Sequence, residues 1–187
     1  SGHLPRGRYA LDLVHTDLQE FRDHDIDGYK YSAIFVDDKT DRKWSYLLKR
    51  KSDFGEAFLR WLADVGTAPT TMRSDVGGEF IAATHGQFLH TCLERGIKAE
   101  RAVPGNPEQN AKAERGNRNL LEIARSLLLH ANLPKNLWSY AMRYAAYIDM
   151  RCVSKRTGMT PYEAWYGHEC EEHPITFGSR VFFRHNE

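Results

Sequence analysis

Three extended segments precede the first helical period, and that order leaves few folds open. Residues 11–18 alternate at Leu11, Leu13 and His15, and residues 29–37 are rich in aromatic and β-branched side chains. Residues 42–49 carry Trp44, Tyr46 and Leu48 in alternation. The polar link 38–41 reads as a hairpin turn, so these three strands form an antiparallel meander. At residue 54 the period changes. Phe54, Ala57, Phe58, Trp61, Leu62 and Val65 trace a helix that Ser52 N-caps and Gly66 stops. A strand at 69–74 follows. A helix opened by a Thr84–Gln87 capping box then runs to Gly96, and a strand at 97–103 closes the unit. Strand–helix–strand units make their strands parallel, so the fold class is α/β, a five-stranded mixed sheet flanked by helices.

Beyond the Pro/Gly/Asn stretch at 104–109 the chain is helical. Leu120, Leu121, Ile123, Ala124, Leu127 and Leu128 share one side of a long helix, and Asn132-Leu133-Pro134 breaks it. Trp138, Ala141, Met142, Ala145 and Ile148 trace a second helix. Thr160-Pro161-Tyr162-Glu163 opens a short third one. Residues 180–184 could form a further strand. The expected organisation is an N-terminal extension at 1–10, a core at 11–132, and a helical extension of the same domain with a tail at 133–187.

Hydrophobic residues make up 41% of the 187 residues, which excludes a disordered chain. No apolar run approaches the roughly 20 residues of a membrane span. The three cysteines, Cys92, Cys152 and Cys170, lie far apart, which argues against a disulfide scaffold or zinc finger and fits a reducing compartment. His15, His24, His85, His90 and His130 show no metal-ligand spacing, so a zinc site is rejected. There is no signal peptide, and the opening Ser-Gly in place of Met reads as an excised piece of something longer. The net charge of +1 taken alone argues against a nucleic-acid partner.

The places where the acidic residues fall point the other way. Asp17 and Asp75 each sit where a strand ends, and open α/β sheets place their sites at the carboxyl ends of strands. The first and fourth strands could lie side by side. Glu114 sits early on the long helix, on its polar side, and the stretch from Asp75 to Glu114 holds one helix, one strand and one loop. Three converging carboxylates require a cation to stay ionised. Hard oxygen ligands suit Mg²⁺ or Mn²⁺, and two such ions clamp the attacking and leaving oxygens of a phosphoryl transfer. Taken singly, Asp17 and Asp75 read as strand-end turn carboxylates and Glu114 as a solvated helix residue, and only their convergence favours a site; Asp37 and Asp38 are best read as closing the hairpin.

Several collinear motifs carry a resemblance. They are His15-Thr16-Asp17, Phe35-Val36-Asp37-Asp38, Arg73-Ser74-Asp75 with Gly77-Gly78-Glu79-Phe80, and Val103-Pro104 through Gln109-Asn110 to Ala113-Glu114-Arg115, Asn117 and Arg118. Ala124-Arg125-Ser126-Leu127-Leu128, Asn132-Leu133-Pro134 and Thr160-Pro161-Tyr162-Glu163 continue the series. From about Leu11 to Gly167 the chain resembles the integrase catalytic core of copia-type LTR retrotransposons. The resemblance implies an RNase H-like fold and a D,D,E triad at Asp17, Asp75 and Glu114 holding two Mg²⁺, for which Mn²⁺ can substitute. It also implies joining of element DNA 3′ ends to target DNA, acting in the nucleus, by at least a dimer with an unspecified host tethering factor and no membrane partner. The sequence departs from the family at Val76, at Ala111 and Lys112, and in a longer Asp75–Glu114 connection.

Lys112, Arg115 and Arg118 read either as a solvated helix face or, beside such a site, as the expected phosphate contacts, which supply most of the affinity; Asn110 and Asn117 are expected to contact DNA or to order the loop. Two rivals stay open: a non-catalytic oligomerisation or targeting module of a decayed element, and a hydrolytic nuclease of the same fold. The near-neutral charge then averages an acidic start and tail with a basic helix around Glu114.

Overall fold

A computed structural model describes residues 6–74, 81–101 and 111–181. Strands β1 (Leu13–Glu20), β2 (Tyr31–Asp37), β3 (Lys43–Leu48), β4 (Thr71–Ser74) and β5 (Lys98–Arg101) stand in the order β3-β2-β1-β4-β5. The first three form the expected antiparallel meander. β1 and β4 lie side by side and parallel, with Thr16 opposite Ser74 as the last pair, and β5 runs parallel to β4. β1 continues past Asp17 to Glu20, because its antiparallel ladder with β2 runs on from Asp17 opposite Ile34 to Glu20 opposite Tyr31.

The pleat sends alternate residues to opposite layers. Ala33 and Phe35 join the core under α1 (Phe54–Val65) and α2 (Ile81–Glu94). Ile34 and Val36 join the core under α3 (Ala111–His130) and α4 (Trp138–Asp149). Phe35 and Trp61 are fully buried with ring centroids 4.7 Å apart. Burying side chains of this size contributes about 1.5–3 kcal/mol each.

Two helix starts differ from the sequence expectation. A 3₁₀ turn at Lys51–Asp53 precedes α1, so Asp53, not Ser52, takes the N-cap position; its carboxylate accepts from the Arg50 N–H at 3.0 Å. α2 is helical by Ile81, ahead of the Thr84–Gln87 motif, because Ala82 and Ala83 are strong helix formers. Arg180 and Val181 are not in a strand, and residues 182–184 of that expectation lie outside the described residues.

The C-terminal elements close over the sheet edge. Trp138, opening α4, stacks on Phe21 with centroids 3.6 Å apart. α5 (Pro161–Tyr166) keeps the anticipated capping box: Glu163 N–H donates to Thr160 Oγ1 at 3.1 Å and Thr160 N–H donates to Glu163 Oε2 at 2.7 Å. The Arg42 guanidinium sits 4.6 Å from the ring centroids of both Trp44 and Trp165, fastening α5 to the meander. Among the described residues no helix is long and apolar enough to cross a membrane.

Candidate active site

The two-residue period of β1 decides which of its side chains meet α3. Val14 enters the α1 layer, while His15 and Asp17 point to the α3 side, where both make their contacts. α3 crosses this face closely because Gly116 has no Cβ. A methyl group there would stand 2.9 Å from Val36 Cγ2 and 3.2 Å from Ile34 Cδ1. Leu120, Ala124 and Leu128 continue the same buried stripe and fix the rotation of the helix.

That placement brings the first turns of α3 to Asp17. Asn117 is 3% exposed and donates from Nδ2 to Asp17 Oδ2 at 2.6 Å. Its amide oxygen is buried with no hydrogen-bond partner among the described residues. Glu114 lies one turn before Asn117 in the first turn of α3 and is exposed. Residues three apart share a helix face, so Glu114 stands on the face that Asn117 turns to Asp17. Asp75 follows Ser74, the partner of Thr16, in the chain; it lies outside the described residues, as does Asn110.

The oxygens this placement offers are those of the Asp17 and Glu114 carboxylates, with Asn117 behind Asp17 as its hydrogen-bond donor. This suits a hard divalent ion such as Mg²⁺. Among the described residues no group of three His, Cys, Asp or Glu forms a metal cluster.

Of the expected DNA contacts, Arg115 and Arg118 are exposed beside Glu114. Asn117 is buried and engaged with Asp17. Lys112 is turned inward: its Nζ lies 3.1 Å from Asp38 Oδ1 and 2.8 Å from Asp41 Oδ1. Its ammonium is held in an internal ion network. Arg156 joins from the far end of the chain, with Nη2 2.9 Å from Asp41 Oδ1 and 2.8 Å from the carbonyl oxygens of Asp38 and Lys39. Burial pushes the Asp38 carboxyl up, but His15, Lys112 and the Gly7 N–H outweigh it and hold it well below the usual carboxylate range. Burial also raises Asp41, yet Arg156 and Lys112 bring it down to about 2. The buried His15 ring is pushed below its ordinary value by desolvation, against the opposing pull of Asp38.

Asp37 fulfils the turn role expected of it. Its carboxylate accepts from Leu11 N–H at 2.7 Å, from Thr40 N–H at 2.8 Å and from Thr40 Oγ1–H at 2.7 Å. Sequence reasoning missed Gly116, Asp41 and Arg156. A glycine inside an amphipathic helix was an available signal for Gly116. Asp41 and Arg156 meet only through the tertiary fold.

No protein-family model matches the chain. It is 35% identical over 179 residues, 92% of its length, to the retrovirus-related Pol polyprotein from transposon TNT 1-94 of Nicotiana tabacum. It is 32% identical over 162 residues, 84% of its length, to that from transposon RE2 of Arabidopsis thaliana. It spans 13% and 11% of these polyproteins. A chain of the simian T-cell lymphotropic virus intasome, solved with the PP2A regulatory subunit B56 gamma, matches with a TM-score of 0.73 and 22% identity, covering 98% of this chain and 64% of that one. The HTLV-2 integrase catalytic core domain in complex with magnesium, in its trimeric form, matches with a TM-score of 0.65 and 19% identity, covering 85% and 99%. These likenesses identify the fold as RNase H-like.

Proposed function

We propose that this chain, a homologue of part of the copia-type retrotransposon Pol polyproteins with the fold of integrase catalytic cores, joins DNA ends to target DNA by metal-dependent phosphoryl transfer. The observation that carries the reading is the 2.6 Å hydrogen bond from Asn117 to Asp17, which ties the turn bearing Glu114 to the strand bearing Asp17. Asp17 and Glu114, with Asp75 as the third member of the sequence motif, would hold two Mg²⁺, and Mn²⁺ would substitute. Such ions supply Lewis acidity, lowering the pKa of an attacking hydroxyl and stabilising charge on the phosphorus oxygens.

The protein's own part is positional. Asn117 fixes the rotamer of the Asp17 carboxylate and neutralises part of its charge through a charge-assisted bond. Glu114 projects from the positive end of α3, where a carboxylate is favoured. Arg115 and Arg118, exposed on either side of this turn, contact backbone phosphates and set the register of the strand. Integration at two ends requires a second copy of the chain, and the site of action is the nucleus.

The test is joining of a labelled DNA end to a plasmid in Mg²⁺. The intact chain joins; Asp17→Asn and Glu114→Gln do not, while their thermal melting is unchanged. Cutting without joining assigns a hydrolytic nuclease instead. Undiminished joining by either variant overturns the proposal.

A further inference from the structure

Beside the carboxylates lies a cavity of about 680 Å³ between the start of α3, the α3-facing side of β1–β4 and the loop at 154–156. Seven lysines and arginines line it, against two carboxylates, Asp38 and Asp41. Most of this charge is internally balanced. Lys43 is 2.6 Å from Asp149, Arg73 is 2.7 Å from Glu100, Lys112 pairs with Asp38 and Asp41, and Arg156 pairs with Asp41. Three cations remain. Arg6, Arg115 and Lys155 are exposed, and their side chains engage no hydrogen bond or ion pair among the described residues.

The three arise from separate places: the N-terminal segment, the first turns of α3 and the loop before α5. Nothing local in the sequence requires their convergence on one cavity. Their excess charge stands over a floor of satisfied ion pairs that is fixed in place and partly withdrawn from water, where a bound anion is weakly screened. The cavity also adjoins the candidate active site. Arg115 follows Glu114, and His15, which lines the cavity, precedes Asp17 by two residues on the same strand face, about 6.6 Å along it.

We propose that this cavity is a backbone subsite, in which Arg6, Arg115 and Lys155 hold phosphodiester groups of the nucleic-acid strand that passes Asp17 and Glu114. It rests on the DNA-joining reading above. Arg115 supplies a planar fork for a phosphate near the carboxylates, and Arg6 and Lys155 hold the strand further out. The contacts are sequence-independent, so they set register and affinity and leave base choice to other surfaces.

Fluorescence anisotropy of a labelled duplex, titrated across salt concentrations, tests it. Each phosphate contact removed makes the log–log salt slope shallower by about 0.9. Lys155→Ala and Arg6→Ala each lower the slope by about that amount, the double variant by about twice it, and Lys155→Arg restores it. Arg60→Ala, on α1 across the sheet, leaves the slope unchanged. An unchanged slope in Lys155→Ala and Arg6→Ala, or an equal loss in Arg60→Ala, overturns the subsite. If the intact chain still joins DNA in Mg²⁺, the functional reading survives that failure. Absence of DNA binding by the intact chain overturns both.

Discussion

Asn117 reaches across the interface of α3 and the sheet to donate to Asp17 at 2.6 Å, while its own amide oxygen stays buried with no hydrogen-bond partner among the described residues. A buried polar atom left without a partner costs about 1–3 kcal/mol. The fold tolerates that cost at the point where it brings a strand carboxylate to the helix turn carrying Glu114.

Replacing Asn117 by Leu removes the orphaned oxygen, a gain of about 1–3 kcal/mol, and the donor to the Asp17 carboxylate, a loss of about 1.5–3 kcal/mol, so the two effects offset and global stability changes by about 1 kcal/mol or less. The carboxylate of Asp17 loses its orienting contact. Losing such an outer contact costs about 10–100-fold in metal affinity or activity. The Mg²⁺ concentration for half-maximal joining should rise accordingly; an unshifted Mg²⁺ dependence rejects the positioning role.

Gly116→Ala sets two effects against each other. Alanine gains about 1 kcal/mol of helix propensity. Its methyl would meet Val36 Cγ2 at 2.9 Å, and overpacking costs about 1–3 kcal/mol. The net expectation is destabilisation of up to about 2 kcal/mol by thermal melting. Adding Val36→Ala should recover at least about 0.5 kcal/mol in a double-mutant cycle. Simple additivity of the two changes would remove the steric explanation.

Asp41 gives the ion network its acid sensitivity. Its folded pKa of about 2 lies below the ordinary 3.8, so its stabilisation is present above pH 3.8 and is lost as pH falls through 2. Asp41→Asn removes on the order of 1–2 kcal/mol at pH 7 after screening at this partly open site, and flattens the acid limb of stability against pH. Parallel stability–pH curves for the variant and the intact chain would contradict the assignment.

Trp165→Ala opens the aromatic clamp around Arg42. It removes the ring at 4.6 Å from the guanidinium and the edge contact to Trp44 at 5.1 Å. The expected loss is about 1–3 kcal/mol, with hydrogen exchange faster in α5 than in α3. Unchanged exchange in α5 would show that the clamp does not hold it.

The legible parts of the fold are those with local causes. The alternation through Leu13 and His15 forecasts the face of Asp17, and Asp37 behaves as the turn former its position suggests. The Thr160–Glu163 capping box announces α5 because all its bonds fall within four residues. The start of α2 is harder to read because one local motif competes with the helix propensity of Ala82 and Ala83. Lys112 escapes a local reading for a different reason. Its partners Asp38 and Asp41, and Arg156, the second cation on Asp41, come from the β2–β3 turn and the loop before α5, and only tertiary packing brings those segments to the start of α3.

In the function proposed above, Asp17 and Glu114 belong to one divalent-metal site. Calorimetric titration of Mn²⁺ into the chain tests it directly. The intact chain should bind Mn²⁺, Asp17→Asn and Glu114→Gln should each bind it at least about tenfold more weakly, and melting in metal-free buffer should be unchanged. Equal Mn²⁺ affinity in the intact chain and both variants would contradict it.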